Sequence, residues 1–305
     1  MKHILFLSAL ALVFLCSGVT KGKYDLSFNP SKGAAYKQHL VTNSTIAQSF
    51  NGQDMNVSVT ADMTASFVVT DVKADLFTTQ MTFDKIKVSM DANTMKMSFG
   101  SEASDNDERF AEMGTILKSI TGIPVDVQTD KKGAVKSVGG VDKLQASIAK
   151  AIEASSNEQI KGMSTSMTMH QYSEEGIKSM LKQMTAPFPE QPIDIGDSWD
   201  AITVFDSNGL KLSANMKMKL RGVADNIATI EGSGTLDTQG EQNQTNQGVE
   251  MKVSQKGEQI TVMQINLKTG LLVGAEISQK LKGEVSVMGN AMAQDIVTKI
   301  TITTE

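Results

Sequence analysis

The chain has 305 residues, 40% of them hydrophobic, 21% charged and only 5% aromatic, and it carries a net charge of −5. This is the make-up of an ordinary folded protein, not of a disordered or collagen-like one, and the length suffices for a large core without disulfides or a structural metal. A mildly acidic chain without a basic run excludes nucleic acid as the expected partner.

Lys2 and His3 precede an apolar run from Ile4 to Cys16, broken only by Ser8, and Ser17 and Gly18 follow it. The run is shorter than the roughly 20 residues that cross a bilayer. Residues 1–18 therefore read as a signal peptide for export to the periplasm or outside. Lipid attachment at Cys16 is a second route, although Leu15 stands where such signals carry a small residue. Cleavage after Gly18 leaves no cysteine, and so no disulfide, thiolate nucleophile or thiolate metal site.

The next feature is period-two alternation. Gly33-Ala34-Ala35-Tyr36 opens a strand region, and from Val57 to Val69 the odd positions are apolar against Ser, Thr and Asp. Such alternation marks a half-buried strand. In Met81, Phe83, Ile86, Val88 and Met90 the parity changes at Lys85, as one inserted residue would make it. Met95, Met97 and Phe99 continue the pattern.

Helical signals follow. Asp105 and Glu108 read as a capping pair ahead of Phe110, Met113, Leu117 and Ile120, with Gly122 and Pro124 as the stop. Gly139-Gly140 precedes Val141, Leu144, Ile148 and Ile152 at helical spacing, whereas Met167 and Met169 alternate with Thr as in a strand. Ser173 opens a third helix, with Glu174 and Glu175 at its positive end and Ile177, Met180, Leu181 and Met184 on one stripe. Pro187, Pro189 and Pro192 end it, and Gly196-Asp197-Ser198-Trp199 opens a second strand region.

That region holds Leu212 to Leu220, then Val249, Met251 and Val253, then Ala275, Ile277 and Leu281, and finally Ile296 to Ile302, all alternating. Asn51-Gly52, Lys132-Gly133, Asn208-Gly209, Thr269-Gly270 and Lys282-Gly283 read as reversals. Residues 69–78 and 220–229 echo each other as strand, turn and strand.

The fold expected is α+β and mainly β: a large curved antiparallel meander, either of two related halves or with two similar hairpins, covered on one face by about three short helices. The divisions are a signal peptide 1–18, a first β half plus three helices 19–192, and a second β half 193–305, the halves packed as one unit.

The leader, the Gly-x-x-Tyr, the Gly133-Ala134-Val135 turn before a Gly-initiated helix, and the segment from Pro187 to Trp199 carry a resemblance. Together they resemble a family of uncharacterised exported bacterial envelope proteins, a domain of unknown function. The architecture is similar to the periplasmic lipoprotein-carrier class, in which a curved sheet wraps around helices and encloses an apolar cavity. That likeness implies a fold and brings no activity or binding residue.

Material for catalysis is sparse. His39 and His170 belong to no metal or catalytic spacing, and Ser179 with Lys182 shows only the spacing of helix neighbours. Glu102, Asp105, Asp107 and Glu108 lack the glycine and terminal glutamate of a calcium loop and read as helix-end charges. Met163, Met167 and Met169 are weak candidates for copper. No catalytic residue, cofactor or metal site is expected.

The 19 methionines stand out. They fill an irregular core, or they line a deformable cavity for a lipid or other apolar ligand. On the second reading Met63, Phe67, Phe83, Met216, Met218, Met180 and Met184 line the cavity, and the chain is a non-enzymatic envelope binder. The alternative is a protein-interaction or assembly component of the envelope with a plain Met-rich core and no ligand.

Overall fold

The computed structural model describes residues 23–305, except 51–52, 93–94, 186, 208, 247–248 and 288–289. The leader with Cys16, the Asn51-Gly52 reversal and Asn208 therefore lie outside the described residues. Alternation becomes burial where it was strongest: Met63, Ala65, Phe67 and Val69 face the core, and the residues between them face out. Thirteen strands among the described residues form one antiparallel sheet that does not close into a barrel.

The elements are β1 (Ala35–Phe50), β2 (Gln53–Lys73), β3 (Leu76–Ala92), β4 (Met95–Gly100), α1 (Ala111–Lys118), β5 (Pro124–Asp130), β6 (Val135–Gly139), α2 (Val141–Glu153), α3 (Glu158–Gln171), α4 (Glu174–Met184), β7 (Ser198–Ser207), β8 (Leu210–Ala224), β9 (Ile227–Asp237), β10 (Gln242–Asn246), β11 (Val249–Asn266), β12 (Leu272–Val287) and β13 (Asn290–Thr304). The class is α+β, mainly β, as expected, with four α-helices among the described residues instead of about three.

The strand order is β6-β5-β3-β2-β1-β13-β12-β11-β9-β8-β7, with β4 beside β3 and β10 beside β11. Both runs are meanders, and the first and last strands pair at the centre of the sheet from Gln38↔Thr304 to Ser49↔Ala293. The two echoing segments make the same bulged hairpin. The register shifts between Val69 and Asp71 in one and between Leu220 and Gly222 in the other, five residues before left-handed turn residues Ala74 (φ 50°) and Asp225 (φ 51°) respectively when counted from Val69 and Leu220. The parity change in β3 is also a bulge, since Thr64 pairs with Lys85 and Ala65 with Phe83. The helical segment between β6 and β7 packs on the core face of the sheet, and α4 packs against both of these edge strands.

Three expectations are corrected. Gly283 is no turn residue but lies inside β12, where a Cβ would press on the backbone oxygen of Ser254 at 2.5 Å; glycine lets the strands approach. Asp105 and Glu108 do not cap a helix. They sit in two short 3₁₀ turns ahead of α1, and Asp105 is buried against Lys87 (2.9 Å) and Lys85 (3.4 Å). Met167 and Met169 lie on helix α3, not on a strand. The buried residues of α3 at four-residue spacing are Ile160, Ser164 and Thr168, so its inner stripe is largely hydroxyl and gives no apolar period. Asn157 caps it, its side chain accepting from the N–H groups of Gln159 and Ile160.

Candidate apolar-ligand cavity

The packing of α1, α3 and α4 on the sheet leaves a cavity of about 290 Å³. It lies at the low end of small-molecule pockets, which run from roughly 300 to 1,000 Å³. Its floor comes from Leu40 and Thr42 on β1, Ala61 and Met63 on β2, Ile86 and Val88 on β3, Phe99 on β4, and Ile300 and Ile302 on β13. Its roof comes from Met113 and Leu117 on α1, Thr168 and Gln171 on α3, Tyr172, and Gly176, Met180, Gln183 and Met184 on α4. The sheet register puts the floor residues in rows, since Thr42 pairs with Ala61 and Ile300, and Leu40 pairs with Met63 and Ile302.

Two smaller spaces adjoin it. One of about 40 Å³ shares Gln183 and Ile300 with the main cavity and reaches Met216, Met218, Gln259, Thr261 and Gln279. The other, of about 50 Å³, shares Met184 and is bordered by Phe67, Gln38 and Thr79.

The structure thus places Met63, Met180 and Met184 on the main cavity, Met216 and Met218 on the first annex, and Phe67 with Met184 on the second. Phe83 lines none of the three. It is fully buried with its ring edge-on to Tyr172, 5.3 Å between centroids. Leu40, Thr42, Tyr172, Gln183, Ile300 and the glutamines of the first annex had no distinguishing mark in the sequence. Leu40 and Thr42 stand in a strand whose alternation is diluted by Gln, Asn and Ser.

Both histidines meet carboxylates. His39 Nε2 lies 2.7 Å from Asp62 Oδ1, and His170 Nε2 lies 2.8 Å from Asp206 Oδ1. The second pair ties the end of α3 to the end of β7 beside the cavity. Helix α4 is pinned to the same strand: the Asp206 N–H donates to Ser179 Oγ (3.0 Å), and Lys182 Nζ donates to the Val204 carbonyl (2.9 Å). Two backbone groups of an otherwise open sheet edge are thereby capped. Ser179 and Lys182 serve this contact, and Trp199 anchors the start of β7 by donating to the Pro187 carbonyl (2.9 Å).

The Lys87 and Lys85 ammonium groups hold the Asp105 carboxyl below the usual carboxylate range, the Lys87 bond being the larger cause. Burial raises the Tyr172 phenol, so that group stays neutral on the cavity wall. Met163 and Met169 pack half-buried against the core from α3. Among the described residues no three His, Cys, Asp or Glu side chains gather as metal ligands, and no helix is long and apolar enough to cross a membrane.

Residues 74–272, more than half of the chain, match a family of unknown function, DUF6263. The chain belongs to that family. No curated protein matches the sequence. Among solved structures, lipovitellin is similar at a TM-score of 0.50 and 8% identity over 90% of this chain. The chain spans a quarter of lipovitellin's length (25%), and at that identity the likeness concerns the fold alone. The outer membrane protein OprG from Pseudomonas aeruginosa aligns over 90% of this chain and 96% of its own at 7% identity, with a TM-score of 0.27.

Proposed function

We propose that this DUF6263 chain is a non-enzymatic binding protein that holds a lipid or other apolar molecule between its sheet and its helices. The observation that carries this reading is the main cavity between sheet and helices, whose wall is mostly apolar, with Met63, Met113, Met180, Met184 and aliphatic side chains beside a few polar groups at its rim such as His170 and Asp206. Binding there is burial of apolar surface, and thioether side chains adapt to more than one shape. Lipovitellin, whose structure is described by its lipid–protein interactions, lends the reading an analogy of fold. An exported setting is part of the proposal and rests on the apolar run from Ile4 to Cys16.

The test is titration of the delipidated chain with a neutral fluorescent probe such as N-phenyl-1-naphthylamine. Saturable binding near one probe per chain is expected, and Ala61→Leu, which enlarges a side chain on the cavity floor, is expected to weaken it at least about ten-fold. Unchanged binding in a folded A61L chain would remove the cavity from the reading.

The alternative, an assembly component of the envelope, is favoured by one feature of the edge strand. Ile202 and Val204 on β7 are 73% and 45% exposed. Capture of a specific envelope protein that Ile202→Lys abolishes would support it.

A further inference from the structure

The inward side chains lie in straight rows across the sheet, and the row next to the main cavity changes character along its length. It begins apolar at Met97, Met90 and Val59 on β4, β3 and β2. It then turns polar without turning charged at Ser44, Thr298, Gln279 and Gln259 on β1, β13, β12 and β11. Ser44 and Thr298 hydroxyls are 2.9 Å apart, and the Gln279 amide donates to Gln259 Oε1 at 2.9 Å. In the adjoining row Thr261 is 1% exposed, and its hydroxyl has no hydrogen-bond partner. Its neighbours across β9 are Gly232, opposite Thr261, and Gly234, opposite Gln259, which add no side chain over the polar groups.

Gln183, Gln259, Thr261 and Gln279 all border the annex that shares Gln183 and Ile300 with the main cavity. An exposed polar face does not explain a hydroxyl buried without a partner, because such a group loses its water for nothing. We propose that the molecule bound is an amphiphile whose uncharged hydrogen-bonding group, an amide or a hydroxyl, lodges among these four side chains while its hydrocarbon chain fills the main cavity. The proposal rests on the reading of that cavity as an apolar-ligand site and names the ligand's chemistry. Glutamine amides and a threonine hydroxyl offer both donors and acceptors to a neutral partner. The one cation bordering the annex, Lys182, is already engaged by the Val204 carbonyl (2.9 Å), so an ionised carboxylate or phosphate brought there would be stripped of water with no cation but that shared ammonium to meet it.

The experiment compares three ligands of one chain length on the delipidated full chain at pH 8: oleamide, monooleoylglycerol and sodium oleate, each below its micelle concentration. Displacement of the neutral probe is the readout. Oleamide and monooleoylglycerol are expected to bind at least about ten-fold more tightly than oleate. The isosteric T261V, and separately Q279L, are expected to narrow that preference to below about three-fold. Oleate binding as tightly as the neutral pair would overturn the proposal while leaving the apolar cavity standing, and so would a preference that survives both substitutions. Failure of all three ligands to displace a bound probe, or of the probe to bind, would overturn the cavity reading and this proposal together.

Discussion

Met184 is the residue on which the shape of the interior depends most, because it separates the main cavity from the annex beside Phe67 and Thr79. Met184→Ala joins the two spaces and is expected to cost about 3 kcal/mol in urea unfolding, in line with other buried large-to-small changes. It is also expected to let the cavity accept a longer hydrocarbon chain; an unchanged unfolding midpoint would mean that the neighbours collapse into the gap. Asp105 offers a different test. Its carboxyl is held below its ordinary value by Lys87 and Lys85, so its contribution is present above the ordinary carboxylate range and is lost as the pH falls through the lowered value. Asp105→Asn should therefore cost about 1 kcal/mol at pH 7 and close to nothing at about pH 2, read from urea midpoints at both pH values. At this scale Met63, Met180 and Met184 were legible in the sequence from strand parity and helix stripe. Phe83 was not distinguishable from them, since parity tells that a side chain is buried and not whether a void or Tyr172 stands in front of it. Gln259, Thr261 and Gln279 were hidden for the opposite reason, because polar residues in an alternating strand look like its wet side.

At the scale of elements, α4 acts as a strut between two sheet edges that never meet. Ser179 and Lys182 take over hydrogen bonding that a neighbouring strand would provide to Asp206 and Val204. Ser179→Ala with Lys182→Met should speed amide exchange at Asp206 and lower stability by about 1–2 kcal/mol, while exchange in β12 follows only the global change. Equal acceleration in both strands would show that α4 is not a local cap. The echoing hairpins and the bulge at Lys85 were legible, because turn residues and parity are local signals, whereas the bulges beside Val69 and Leu220 left no change of parity to read and Gly283 passed for a turn residue. Helix α3 was not, since its buried stripe is Ile160, Ser164 and Thr168 and its helicity comes from the Asn157 cap and from packing against its neighbours. The Ser164 hydroxyl, for example, donates to Met113 Sδ at 2.9 Å.

At the scale of the whole molecule, the pairing of β1 with β13 joins the chain's two β runs into one sheet, and the core runs through both without a break. Unfolding should therefore be a single transition, with the fluorescence of Trp199 on β7 coincident with far-ultraviolet circular dichroism. Separate transitions would show that the runs unfold independently. The meander within each run could be read from the sequence, whereas the central pairing of β1 with β13 joins residues such as Gln38 and Thr304 that no local pattern connects. The central claim, that the space between sheet and helices holds an amphiphile, is tested most directly by native mass spectrometry of the chain purified without detergent from the cells that make it. The account predicts one uncharged amphiphile per chain, released on unfolding and rebound by the refolded protein. A bare chain that also refuses the neutral probe would contradict it.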